Sequence, residues 1–291
     1  MSTFLQLIFS GLEFGSIFGL AALGIIIIYR TSKATNFAQG VIGMFNAFVA
    51  TILLINHDIP TWLAALAGMV SAFILGIVID LLVIRRARKA SIVSKQIVTF
   101  GLILVLMGVA PWLFGVLPLN FPSFIPSGSF DIEGASLTHN GLLNIILGLV
   151  IMGVLFYFLQ YTKWGLAVRV TSSNEQTAKL MGVPTAHVTM GAWAVAAALG
   201  TLSALMIASW ISVEVTMMEI VQINALIAGV LGGFQTFYGP VLAAYLIAIA
   251  RNLIGFYIST SLAESILYVL ILLFIVIRPN GLIGKKVVKK V

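Results

Sequence analysis

The chain has 291 residues, of which 60% are hydrophobic and 9% charged, and this excludes a soluble globular domain, which carries about a quarter charged residues to cover its surface. Its outer surface must face lipid, and at roughly 20 residues per crossing the length fits about seven to ten spans. The net charge of +7 does not point to nucleic acid, because the basic residues fall between apolar runs or at the C-terminus, as anchoring charges do, and with no Cys there is neither disulfide nor thiolate chemistry.

The N-terminal MSTFLQLIFSGLEFGSIFGL has no basic n-region and no A-x-A-like cleavage site, so the first apolar segment is expected to stay as a span. Apolar runs follow one another at 8–29, 36–55, 61–84, 97–118, 141–160, 188–211, 220–233, 238–258 and 262–277. Alternate breaks are basic: Arg30 and Lys33, then Arg85, Arg86, Arg88, Lys89 and Lys95, then Lys163, Arg169 and Lys179, then the terminal KKVVKK. The breaks between them, INHDIP, the 118–140 stretch with Asp131 and Glu133, and SVEVTMME with Glu214 and Glu219, are acidic or neutral. The bias predicts a cytoplasmic C-terminus and basic loops, with the N-terminus outside. The expected fold is an all-α polytopic bundle, one domain over 1–291, with about eight or nine membrane segments. Whether 220–258 crosses twice or forms a re-entrant hairpin around GGFQTFYGP is open, since irregular backbone at membrane depth needs a protein-lined place.

No internal repeat stands out. TNFAQG (35–40) and GGFQTFYG (232–239) both interrupt apolar sequence, and paired interruptions are one mark of a transport pathway. Asn36 and Gln39 stand three apart and share a helix face, with Gly40 allowing close approach or a break. They read either as a cap and packing face or as a lining of the pathway or its gate. Arg251 is a charge near apolar depth, with Glu264 a conceivable partner, and it reads as snorkelling or cavity-facing. Asp80 reads as an interfacial counter-charge to the Arg85 cluster. His57, His139 and His187 fall in separate loops without metal-ligand spacing, and no phosphate-binding loop is present.

The stretch TSSNEQTAKLMGVP is the polar exception on the basic side. Ser172 and Ser173 precede Glu175 and Gln176 as capping boxes, Ala178, Leu180 and Met181 supply an apolar edge, and Gly182 with Pro184 ends the helix. Such a helix of about two turns is unstable alone. It reads as a loop helix resting on the bundle or as a docking helix that offers Ala178, Leu180 and Met181 to a partner's groove.

SNEQTAKLMGV resembles the cytoplasmic coupling loop of bacterial ABC importer permeases, with Glu175, Ala178 and Gly182 at its characteristic positions. In chain order, GSIFGLAALGIIIIYRTSKATNFAQG, YTKWGLAVRVTSSNEQTAKLMGV, AGVLGGFQTFYGPVLAAYLIAI and VIRPNGLIGKK resemble the branched-chain amino acid (LIV-type) permeases, in particular the shorter of their two usual permease subunits. The chain departs from that pattern at Val41, Gln235 and Arg251. The resemblance implies a non-enzymatic transport subunit in a bacterial or archaeal cytoplasmic or inner membrane, with no cofactor of its own. ATP and magnesium would be bound by two cytoplasmic ATPase subunits. A second, longer permease and an extracytoplasmic substrate-binding protein complete the expected assembly. A coupling loop about 161–187 would present Ser173, Asn174, Glu175, Gln176, Ala178, Lys179, Leu180, Met181 and Gly182 to an ATPase. Asn36, Phe37, Gln39, Gly40, Gly232, Gly233, Gln235 and Arg251 would lie along the pathway or its gate. The cargo would be branched-chain or related amino acids, with urea, aromatic acids, nucleosides and sugars as alternatives; a stand-alone secondary transporter or channel is the competing class.

Overall fold

The computed structural model describes residues 2–283 apart from Lys89 and Ser127; the KKVVKK tail and Lys89 of the second basic break lie outside the described residues. The fold is an all-α membrane bundle of α1 (Ser2–Ser32), α2 (Gln39–His57), α3 (Thr61–Ile79), α4 (Ile92–Phe114), α5 (His139–Tyr161), α6 (Lys163–Ser173), α7 (Glu175–Leu180), α8 (Thr185–Ala208), α9 (Glu219–Gly232), α10 (Tyr238–Tyr257) and α11 (Ala263–Ile277). Seven of these are long and apolar enough to cross a bilayer, while α9 and α11 are shorter apolar helices of 14 and 15 residues. α3 continues into one π-helical turn, Asp80–Ile84. The loop before α5 adds a hairpin, β1 (Ser129–Ile132) with β2 (Ala135–Thr138), in which Ser129 faces Thr138 across the antiparallel pair. Its turn residues Glu133 and Gly134 have φ of 53° and 78°, the left-handed pair that a two-residue hairpin turn requires.

Long-range contacts assign the two ends of the bundle. Arg30 bonds to Ser172 and lies over the Phe237 ring, and Arg88 donates to the Thr185 carbonyl, so the basic breaks gather at one end. Gln6 accepts from the Ser136 amide and Asn140 donates to Ser209, gathering the acidic and neutral loops at the other.

The order of elements repeats with reversed direction. α1 runs toward the basic end, residues 33–38 fold back irregularly, and α2 starts inside the bundle before α3 and α4 return. α8 runs the opposite way, residues 209–218 fold back, and α9 starts inside the bundle before α10 and α11 return. α1 and α8 lie antiparallel at the centre, where Ser203 Oγ donates to the Ile17 carbonyl at 2.9 Å. The two halves exchange partners: α10 packs on α1 through Gly11 and Gly15, and α3 packs on α8 through Gly76. The chain therefore does contain a repeat, one of inverted topology, which no sequence similarity reveals. The expected pairing of interruptions needs correction as well. TNFAQG corresponds to residues 213–218, while GGFQTFYG is the ordinary turn between α9 and α10. The 220–258 stretch is not a re-entrant hairpin; α10 spans fully, and re-entry occurs at the starts of α2 and α9.

Helices approach closely where glycine leaves room. A Cβ on Gly43 would stand 2.5 Å from the Gly200 carbonyl oxygen, and one on Gly76 would stand 2.5 Å from that of Trp193. Neither neighbour is a side chain that could yield, so small residues here are a packing requirement. Gly43→Val and Gly76→Val are each expected to cost about 1–3 kcal/mol. Gly101→Ala on α4, where a Cβ meets nothing within 4 Å, is expected to stabilise by about 0.5–1 kcal/mol. Thermal melting of the purified chain checks all three.

Candidate translocation site and coupling helix

The start of α2 carries the densest buried polar cluster. A hydrocarbon core offers backbone N–H groups no water, so a helix that begins there needs internal acceptors. The N-cap Ala38 supplies no side chain, and neighbours take over. Thr99 Oγ1 accepts from the Phe37 amide at 3.3 Å, Asn36 Oδ1 from Ala38 at 3.0 Å, and Gln222 Oε1 from Gly40 at 2.6 Å. Gln39 donates to the Ala196 carbonyl at 2.6 Å, halfway along α8, and also accepts from Asn36. Its amide fits a notch between Gly24 and Gly200, where a Cβ on Gly200 would approach it to 2.7 Å. Asn36 and Gln39 are fully buried, and their side chains bond within this cluster.

Phe37 and Gly40 border a cavity as well. With Val41, Met107, Met218, Gln222 and Glu219 they line a 220 Å³ cavity between α2, α4 and α9. Glu219 is the first residue of α9, which at about 1.5 Å per residue places it some 21 Å from that helix's other end. The expectation that Glu219 sits in a loop is corrected in one respect: it is the first residue of α9, and its exposed carboxylate borders the cavity.

The remaining pathway residues do not join this cluster. Gly232, Gly233 and Gln235 form the α9–α10 turn at the basic end, with Gly233 at φ 86°. The closing R-P-N-G-L stretch folds over this turn, Leu282 N–H bonding to the Leu231 carbonyl at 2.7 Å. Arg251 lies toward the far end of α10, where its Nε and Nη2 both reach Glu264 Oε1, at 3.2 and 2.9 Å. Asp80 is fully buried and pairs with Arg85 at 3.6 Å, consistent with a counter-charge. His57, His139 and His187 stand at the ends of α2, α5 and α8 rather than in loops.

The polar exception forms α7, with two changes from expectation. Its cap is Asn174, whose Oδ1 accepts from Gln176 and Thr177 at 2.9 and 3.1 Å. Ser172 and Ser173 are the last residues of α6, because the helix begun at the Thr162 cap runs on through them. Gly182 at φ 78° closes the other end: its N–H bonds to the Lys179 carbonyl and that of Val183 to the Ala178 carbonyl, both at 3.0 Å, the paired bonds of a Schellman motif. Ala178 turns inward with no exposed surface, so it anchors α7 to the bundle and does not face a partner. Leu180 and Met181, 89% and 72% exposed, are what the helix presents. Lys179 pairs with Glu175 at 2.8 Å. Burial opposes ionisation of Glu175, but that bond and the positive charges of Lys179, Arg88 and Lys95 outweigh it and hold the carboxyl below its ordinary pKa.

Comparison with known proteins decides the family. Residues 7–276 match the family described as "Branched-chain amino acid transport system / permease component". The chain belongs to this family. Similar proteins include the high-affinity branched-chain amino acid transport system permease protein LivH of Escherichia coli K12, 26% identical over 99% of this chain and 98% of that protein. LivH of Salmonella typhimurium LT2 is 25% identical over the same shares, and the probable LivH of Methanocaldococcus jannaschii is 25% identical over 91% and 88%. The structure of PsaBC from Streptococcus pneumoniae in complex with Fab covers 94% of the chain and 90% of its own at TM-score 0.48 and 14% identity. The chain is thus a multi-pass membrane permease subunit of a transport system.

In this permease two polar residues escaped the sequence reading. Glu13 of α1 is buried, and its Oε1 accepts from Asn144 and Trp210 at 2.8 and 2.9 Å. A lone acid inside the first apolar run is the signal that marks it. Gln222 is the other; only the fold brings it to Gly40. Gln222→Leu removes the acceptor of a buried first-turn N–H and is expected to destabilise the permease by about 1–3 kcal/mol. Thermal melting checks the loss, and Ile223→Leu, one residue further on the exposed side, is the matched control.

Proposed function

We propose that the chain is the membrane-spanning subunit of an ATP-driven ABC importer that passes branched-chain or related amino acids delivered by a substrate-binding protein. The observation that carries this reading is α7. A six-residue helix clipped at both ends, anchored by Ala178, projects Leu180 and Met181 at the basic end of the bundle. Exposed apolar side chains on a rigid helix suit insertion into a partner's groove. The positive-inside bias makes this end cytoplasmic, the N-terminus external and the groove that of an ATPase subunit. Two such subunits close on binding ATP and magnesium, and α7 carries the movement through Arg88 and Thr185 into α3 and α8. Loaded binding protein and ATP then bias the same equilibrium between outward-open and inward-open states.

The 220 Å³ cavity between α2, α4 and α9 is assigned to the pathway, which a second permease would complete. That volume is below the roughly 300 Å³ at which ligand pockets begin, so the cavity is read as one wall of a larger passage. The cargo follows the similar LivH proteins, whose names specify branched-chain amino acids.

Leu180→Glu and Met181→Glu place a charge where the groove would be apolar. Each is expected to weaken retention of the ATPase subunits by about tenfold or more, a change of about 1.4 kcal/mol per factor of ten, without lowering the melting temperature of the permease. Ala178→Leu overfills a closed site and lowers that temperature, at about 1–3 kcal/mol. Co-purification and melting together check the distinction; full ATPase retention by both Glu variants would sink the docking assignment.

A further inference from the structure

At the basic end, α1, α6 and the α9–α10 turn enclose a 610 Å³ cleft whose charged side chains are Arg30, Lys33 and Arg169. The sequence has nine acidic residues, and none lines it. The ion pairs among the described residues, Arg85–Asp80, Lys179–Glu175 and Arg251–Glu264, leave these three cations without a carboxylate. Arg30 has the Ser172 hydroxyl at 3.4 Å and the face of Phe237 at 4.3 Å from its guanidinium carbon. Arg169 directs two nitrogens to Gln160, and its buried Nε has no hydrogen-bond partner. Burial, then the Arg30 charge, lowers the pKa of Lys33 at the rim. Gathering like charges in a half-buried place without a counter-ion is unfavourable unless an anion joins them.

The neighbouring space indicates what carries that anion. A second cavity of 580 Å³ shares Arg30, Arg169 and Gln235 with the first and continues along α5, past Phe156, Tyr157 and Leu159. Its surface is chiefly aromatic and aliphatic, and Tyr157 is exposed on the outer face of that span. The two cavities together form a cleft with a cationic head and an apolar tail. A soluble protein docking from the water would meet the head and leave the tail unexplained.

We propose that this cleft binds an anionic phospholipid, its phosphate held between Arg30 and Arg169 with Lys33 at the rim and its acyl chain lying along α5. Basic pockets at helix ends near the bilayer surface are suited to such headgroups, and guanidinium groups to phosphate oxygens. The lipid would tie α1 and the α9–α10 turn to α6, the helix that leads directly into α7. The assignment does not depend on what energises transport.

Native mass spectrometry of the purified full chain, titrated with dioleoyl phosphatidylglycerol, tests it. One tight lipid is expected, bound more weakly by about tenfold in Arg30→Gln and in Arg169→Gln. Lys33→Asn, which keeps a residue tolerant of the φ of 56°, weakens it less, and Arg86→Gln, an exposed cation outside the cleft, does not weaken it. Arg169→Lys is expected to recover part of the loss, and lipid-free melting temperatures matching the wild type confirm that the variants are folded. Equal binding of dioleoyl phosphatidylcholine, or unchanged phosphatidylglycerol binding in both arginine variants, overturns the proposal. So does displacement of the lipid by equimolar glycerol 3-phosphate, which would make this a free-anion site. Displacement by an added ATPase subunit with the same variant dependence also overturns it, since the cleft would then be a protein dock.

Discussion

The structure depends on how two helices begin inside the bundle without water. α2 and α9 each follow an irregular segment that folds back to membrane depth, and neither has a capping side chain of its own. A buried unpaired N–H costs as much as a lost hydrogen bond or more. Part of the solution runs from one break to the other, because Gln222 on the first turn of α9 accepts from the Gly40 N–H on the first turn of α2. The second break therefore supports the first, and the α1–α8 pair with its glycines provides the space in which they meet. The cavity with Glu219 and Phe37 is a consequence of this arrangement, since both helix starts border it.

The two ends of the bundle handle charge differently. At the acidic end, Glu264 takes the one nearby guanidinium and Glu13 is held by neutral donors. At the basic end, two acids answer a larger number of cations, and the surplus collects where α1, α6 and the α9–α10 turn meet. The same surplus also joins elements, since Arg88 bonds to both Thr185 and Thr189 at 3.0 Å and so ties the loop after α3 to the start of α8.

The number of apolar segments, the grouping of the basic loops, the Arg251–Glu264 pair and the termination at Gly182 were all legible in the sequence. Each rests on local composition or on a backbone preference. The re-entrant starts of α2 and α9 were not, because averaging hydropathy along a run cannot distinguish a helix that starts at the surface from one that starts halfway in. The cap at Asn174 was missed because Ser and Asn cap about equally well, and the choice between them depends on where α6 stops. The orientation of Ala178 was missed since an alanine fits equally well against a bundle or a partner. The inverted repeat leaves no trace at all; lipid and protein both accept apolar residues, so the two halves can share a path through space with almost no residues in common.

A short helix at the end of a flexible loop would be a poor transmitter, since the loop would absorb any displacement. α7 is not attached in that way. Its first N–H groups are tied to Asn174, its last carbonyls to Gly182 and Val183, and its inner face is seated at Ala178. That gives the segment low compliance. A displacement imposed at Leu180 and Met181 would have little slack to take up before it reached α8, and so would arrive there nearly undiminished.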